Sequence, residues 1–236
     1  MQAEHSQAQA YSLPVKLLIA CGAVGPLLFI VAFLIEGAVR PGYSAWHDFV
    51  SELSLSNQGW TQIVNFLVCG VLVICFAFGL RQVFRSGKGS VWGPLLLGIF
   101  GLSLLIAGVF VTDPSLNYDP PGTPGSTWHG MIHGINALLT LCSLTIGAFV
   151  LARRFAGDPA WRGWTLYSLI TGLLFLAFFA GSLVVAILDQ KGILPNSPVG
   201  LLQRIAIIIG WGWIALLALR LLRQNGRLAD SAARFT

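Results

Sequence analysis

Six apolar runs of membrane-crossing length constrain this chain more than any other feature. They cover residues 17–35, 61–80, 91–111, 130–151, 164–188 and 200–222. Hydrocarbon offers no water to backbone N–H and C=O groups, so a run of ~20 apolar residues crosses it as a helix. Only 10% of the residues are charged, against about 25% in a soluble domain. The expected fold is an all-α polytopic membrane protein, with six transmembrane helices in one bundle over residues 15–222. Residues 1–14 read as a disordered cytoplasmic tail and residues 223–236 as a basic cytoplasmic tail. A lipoprotein-like Leu18-Ile19-Ala20-Cys21 follows Lys16 too closely for a signal, whose apolar region needs about 7–15 residues.

Six spans place both ends on one side, and the charges say which. Lys16, Arg81, Arg85, Lys88, Arg153, Arg154, Arg162, Arg220, Arg223, Arg227 and Arg234 share the side of the termini, while Arg40, Lys191 and Arg204 lie opposite. The positive-inside rule makes the larger set cytoplasmic. The expected location is a bacterial-type cytoplasmic (inner) membrane. Basic residues that punctuate apolar runs form no patch for nucleic acid, so the expected partners are the lipid bilayer and a lipid or small polar ligand. Cys21, Cys69, Cys75 and Cys142 all fall inside spans and read as small apolar core residues. Gly98, Gly101, Ser103 and Gly108 in the third span, and Gly172, Ala180 and Gly181 in the fifth, suit close helix packing. Trp46, Trp60 and Trp128 at one boundary, with Trp92, Trp161 and Trp164 at the other, read as aromatic belts.

The polar residues that invite a functional reading gather on the outward side. Glu36, Asp48, Glu52, Asp113, Asp119 and Asp189 lie there, as do His47, His129 and His133. Residues 43–55 place Tyr43, Trp46, Phe49, Val50 and Leu53 on one helical face and His47, Asp48, Ser51, Glu52 and Ser54 on the other. That pattern predicts a short amphipathic interfacial helix in the first outer loop, its polar side facing water or, alternatively, turned inward as a lid over the bundle mouth. His129 and His133 are four apart and share a helix face. With Asp113 at the same depth they make a candidate zinc set, His129, His133 and Asp113, with His47 or Glu52 as a fourth group. The alternative is a hydrogen-bonded pair partnered by Asp113. Arg204 opens the sixth span where basic residues are scarce, and is expected to pair with Asp113 or Glu52 or to hold an anionic headgroup. Arg40 has the same two readings.

These residues recur in order as Arg40-Pro41-Gly42-Tyr43, Ser51-Glu52-Leu53-Ser54, Thr112-Asp113-Pro114, His129-Gly130 followed by His133, and Gln203-Arg204. In this the chain resembles the bacterial and archaeal membrane family catalogued as domain of unknown function 998. The resemblance runs from about residue 17 to 222 and implies a six-helix membrane protein. It also implies family-level positions at Arg40, Glu52, Asp113, His129, His133 and Arg204. Val111 stands where that pattern has a proline, and the Pro/Gly loop before His129 is longer. A looser likeness of residue types links the chain to membrane hydrolases that hold zinc between helices, although spacing and helix order differ.

Three functions follow as expectations. In the first, Arg40, Glu52, Asp113, His129, His133 and Arg204 bind a small polar ligand or lipid headgroup. In the second, His129, His133 and Asp113 hold zinc that activates water for a lipid or amide hydrolase, with Glu52 as the candidate catalytic base. In the third, the cluster is a structural ion-pair cap on a non-catalytic assembly protein.

Overall fold

The computed structural model describes residues 11–233. The tail expectations on residues 1–10 and 234–236 lie outside them. All six apolar runs are helices: α1 (Leu13–Val39), α2 (Trp60–Val83), α3 (Trp92–Val109), α4 (Trp128–Phe155), α5 (Trp164–Gln190) and α6 (Val199–Ala233). Each is long and apolar enough to cross a membrane, and no strand occurs among the described residues. Pro26 lies inside α1 without ending it.

Each helix packs on its neighbours in sequence, and α6 also packs on α1, which closes the six into a ring. Aromatic side chains fill the interior: Phe29, Phe33, Phe100, Phe175, Trp211 and Trp213 are almost wholly buried. Phe29 of α1 stacks on Trp211 of α6, centroids 4.4 Å apart and rings 4° from parallel. Lipid tails are as apolar as these side chains, so helices gain from meeting only through close contact. The α2–α3 seam shows this. A Cβ on Gly101 would lie 2.9 Å from the Gly70 carbonyl oxygen, and one on Gly70 would lie 2.8 Å from that of Gly101. Large apolar side chains such as Leu138, Leu173, Val184 and Ile208 face outward around the ring. In water such a surface would be an association hazard. Around a ring of spanning helices it is the lipid-facing side.

Three expectations about residue placement change. Trp161, in the α4–α5 connection, turns its ring inward: it is buried, stacked on Phe155 at 4.4 Å, with the Arg220 guanidinium over the ring at 4.5 Å. Cys142 is exposed instead of in the core, whereas Cys69 is buried. The first loop holds no continuous amphipathic helix. Residues 45–47 form turns, and only Val50–Ser54 coil, as a short 3-10 segment. Its polar residues are the reason: His47, Asp48 and Glu52 are buried, His47 engaged by Asp189, Glu52 by Ser115, and Asp48 within the loop by Ser44 and His47. We call the end of the ring carrying this loop, with the α3–α4 and α5–α6 connections, the site end.

Candidate functional site

A cavity of about 280 Å³ lies inside the ring at the site end. Its deep wall is aromatic, with Phe29, Phe66, Phe100, Phe175, Phe179 and Trp211. Its upper wall carries the polar groups: Ser51 beside Phe49 and Val50 from the first loop, Thr112, Asp113 and Ser115 from the α3–α4 connection, His133 from α4 and Gln203 from α6. Lining residues from α1, α2, α3 and α6 are all buried. The accessible ones belong to α4, to Leu183 of α5 and to the two loops. On α4 they are Gly130, His133, Gly134, Ala137 and Thr140, one helical face. Gly134 lines the cavity and is itself exposed. It lies about 9 Å along the helix from Trp128. The accessible part of the wall therefore runs from the two loops down the α4–α5 seam and reaches Gly134 within the apolar part of α4.

Asp113 builds the start of α4. Thr127 caps that helix, its Oγ1 accepting from the Gly130 N–H at 3.0 Å. The Asp113 carboxylate accepts from the Thr127 N–H at 2.8 Å and from Thr127 Oγ1 at 2.6 Å. A negative group at a helix N-terminus is favoured by the unpaired N–H groups there. The carboxylate presses on Gly130, where a Cβ would come within 2.0 Å of Oδ2. That approach explains a glycine directly after His129.

The two histidines part company. His133 lines the cavity, and its Nδ1 donates to the Phe110 carbonyl at the end of α3, 2.8 Å away. In this tautomer Nε2 is the remaining hydrogen-bonding atom. His129 lies outside the cavity, its ring 3.9 Å from that of Trp128 and 5.5 Å from that of Phe110. Among the described residues no three His, Cys, Asp or Glu side chains gather closely enough to hold a metal ion. Asp113 is engaged by Thr127, and the Phe110 carbonyl orients the His133 ring.

Glu52, Arg40 and Arg204 hold the roof. Glu52 Oε2 accepts from the Phe49 N–H at 2.8 Å, while Oε1 accepts from Ser115 N–H at 2.9 Å and Ser115 Oγ at 2.8 Å. One carboxylate thus joins the first loop to the α3–α4 connection. Burial pushes its pKa above the usual carboxylate value, against the opposing pull of those Ser115 and Phe49 hydrogen bonds. Arg204 makes no ion pair with Asp113 or Glu52. Its Nη1 donates to the carbonyls of Ala45 (2.7 Å), Gly200 (3.0 Å) and Asp48 (3.2 Å), and its Nη2 to the Tyr43 hydroxyl. Burial raises the Tyr43 hydroxyl above the ordinary phenol value, although Arg204 pulls it down. It therefore stays a donor, to the Phe49 carbonyl at 3.1 Å. Arg40 donates to the carbonyls of Leu55 (3.1 Å) and Gln58 (3.2 Å), to Ser56 Oγ (2.8 Å) and to Glu36 (3.4 Å). Both arginines are buried and absent from the cavity wall. Of the six positions singled out from sequence, Asp113 and His133 alone line the cavity.

The structure assigns roles to three further residues that residue types alone did not. Gln203 accepts from the Val50 N–H at 2.7 Å and so hangs the roof from α6. Asn136, one turn below His133, lines the cavity wall. His47 bridges Asp48 and Asp189, each 3.1 Å from a ring nitrogen, and Asp189 also accepts from Ser197. The available signal for Asn136 was a lone amide in an apolar run, costly in lipid unless used.

The family model described as "Protein of unknown function (DUF998)" matches residues 23–220. The chain belongs to that family. The DUF998 match covers the whole ring from within α1 to within α6, including the roof and every cavity-lining residue. No curated protein and no solved structure matches the chain.

Proposed function

We propose that this DUF998 protein binds an amphiphilic, lipid-like molecule in the ring cavity, with the site end facing outward. The observation that carries the reading is a cavity with an aromatic floor, polar groups in its upper wall and accessible lining residues that continue down the α4–α5 seam to the level of the apolar helices. A water-soluble ligand would be served by a mouth through the loops, whereas a molecule already in the bilayer reaches the seam without leaving it. A purely structural polar cap accounts for the bonds of Glu52, Arg40 and Arg204 but not for the space beneath them. The outward orientation gains support from burial. With Arg40 and Arg204 spent inside the roof, Lys191 is the exposed cation at the site end, which steepens the charge bias toward the other end.

The test is native mass spectrometry of protein released from gentle detergent. A retained lipid-mass adduct is expected, and it is lost in Gly134→Trp. A Cβ at Gly134 meets nothing within 4 Å, so the large side chain obstructs the seam without breaking the helix packing. Adduct-free wild-type protein, or stoichiometric zinc that disappears in His133→Ala, would replace this reading.

A further inference from the structure

The hydrogen-bonding atoms of the wall specify the head group of the occupant, on the reading that an amphiphile enters the cavity. Asn136 is 6% exposed. Its Nδ2 donates to the Ser103 carbonyl at 2.8 Å, which fixes the amide orientation. Its Oδ1 then has no partner, one of few such buried atoms among the described residues. Buried acceptors are normally satisfied, and one that is not marks an absent partner. The missing partner is a donor, because Oδ1 can only accept. Thr140, one turn further along α4, is already engaged with Ser103 Oγ at 3.0 Å and the Asn136 carbonyl at 3.1 Å. At the top of the wall Gln203 has spent its Oε1 on Val50, which leaves its amide nitrogen.

Charge narrows the choice further. Among the described residues Asp113 is the one carboxylate in the wall, and no lysine or arginine lines it. A phosphate or carboxylate head would lose its hydration beside a like charge and gain no counter-ion. An apolar molecule without a head would leave Asn136 Oδ1 unpaired. About 280 Å³ accommodates on the order of nine water-sized groups at about 30 Å³ each. That is a head and a medium-length chain, and a longer chain must leave through the α4–α5 seam.

We propose that the cavity selects an uncharged, hydroxyl-bearing single-chain amphiphile, whose O–H donates to Asn136 Oδ1 while its chain lies against Phe175, Phe179 and Trp211. Anionic lipids of the surrounding bilayer are excluded by the same wall. Selection therefore acts on the head group, and the aromatic floor accepts chains of varied structure.

The experiment uses full-length protein in nanodiscs of zwitterionic lipid and three bromodecyl probes: the alcohol, the amine and the carboxylate. Bromine quenches tryptophan on contact, so a chain on the cavity floor quenches Trp211, and Trp211→Phe removes that signal while keeping an aromatic ring. Saturable quenching by the alcohol, with the carboxylate at least tenfold weaker, is expected. Asn136→Leu should weaken the alcohol about fivefold, the worth of one neutral hydrogen bond. It should leave the carboxylate unchanged, and a thermal melt checks that the variant is folded. The wild-type comparison needs no variant. Equal quenching by alcohol and carboxylate, or tighter binding of the amine, overturns the head-group assignment while cavity binding stands. Quenching by none of the probes overturns the binding reading as well.

Discussion

Substituting Gly130 by alanine tests the construction of the site at a single atom. The added Cβ would sit 2.0 Å from Asp113 Oδ2 and 2.1 Å from its Cγ, so the carboxylate must move. Both its bonds to Thr127, at 2.8 and 2.6 Å, are then lost or lengthened. Hydrogen bonds to a charged group contribute about 1.5–3 kcal/mol each. Alanine returns up to about 1 kcal/mol in helix propensity. The net expected loss is about 2–5 kcal/mol. Thermal unfolding in detergent, followed by intrinsic fluorescence and chemical denaturation, reads it. The decisive comparison is the same substitution in an Asp113→Ala background. With the carboxylate gone, Gly130→Ala has nothing to displace and only the helix gain remains, so its sign should reverse. Equal destabilisation in both backgrounds would refute the reasoning, because the cost would then have nothing to do with Asp113.

Arg204→Lys should not rescue the roof, since three carbonyls and the Tyr43 hydroxyl need a planar fork and not a point charge. Limited proteolysis within residues 41–58 should quicken in both Arg204→Lys and Arg204→Met, and an unchanged rate in the lysine variant would count against the fork. Glu52 predicts a pH effect. Its folded-state pKa is raised by burial above the unfolded value, so its contribution to stability is fully present below the unfolded value of about 4.3. It is lost as pH rises through the raised value. The difference in thermal midpoint between wild type and Glu52→Gln should therefore shift across that window and be flat above it; no dependence at all would contradict a buried, titrating Glu52. His47→Ala should loosen the tie between the first loop and the end of α5, costing about 1–3 kcal/mol for the carboxylate contacts left behind. Faster hydrogen exchange in residues 44–48 and 189–197 together would report it, and exchange confined to one segment would argue against a bridge.

How much of this was legible in advance depended on the kind of signal. Hydrophobicity over ~20 residues is a local property, and lipid leaves the backbone one solution, so the six helices could be read from the chain directly. The polar positions were also visible, because Asp113, His133 and Arg204 stand out in apolar surroundings. Their partners were not. His129 and His133 share a helical face by spacing alone, yet Phe110 takes one ring into the cavity wall and Trp128 holds the other outside it. Periodicity gave residues 43–55 an amphipathic helix, but buried carbonyls facing Arg204 and a buried Glu52 facing Ser115 were better satisfied by turns.

The sequence by itself determined the solvent, the number of crossings and which end carries the polar residues, because each follows from composition along a short stretch. Only the tertiary structure decided that Arg40, Glu52 and Arg204 fasten a roof while Asp113, His133 and Asn136 line a cavity. That division depends on which carbonyls, hydroxyls and rings from distant segments arrive at each side chain. The ring closure of α1 on α6 sets those meetings, and no local pattern encodes it.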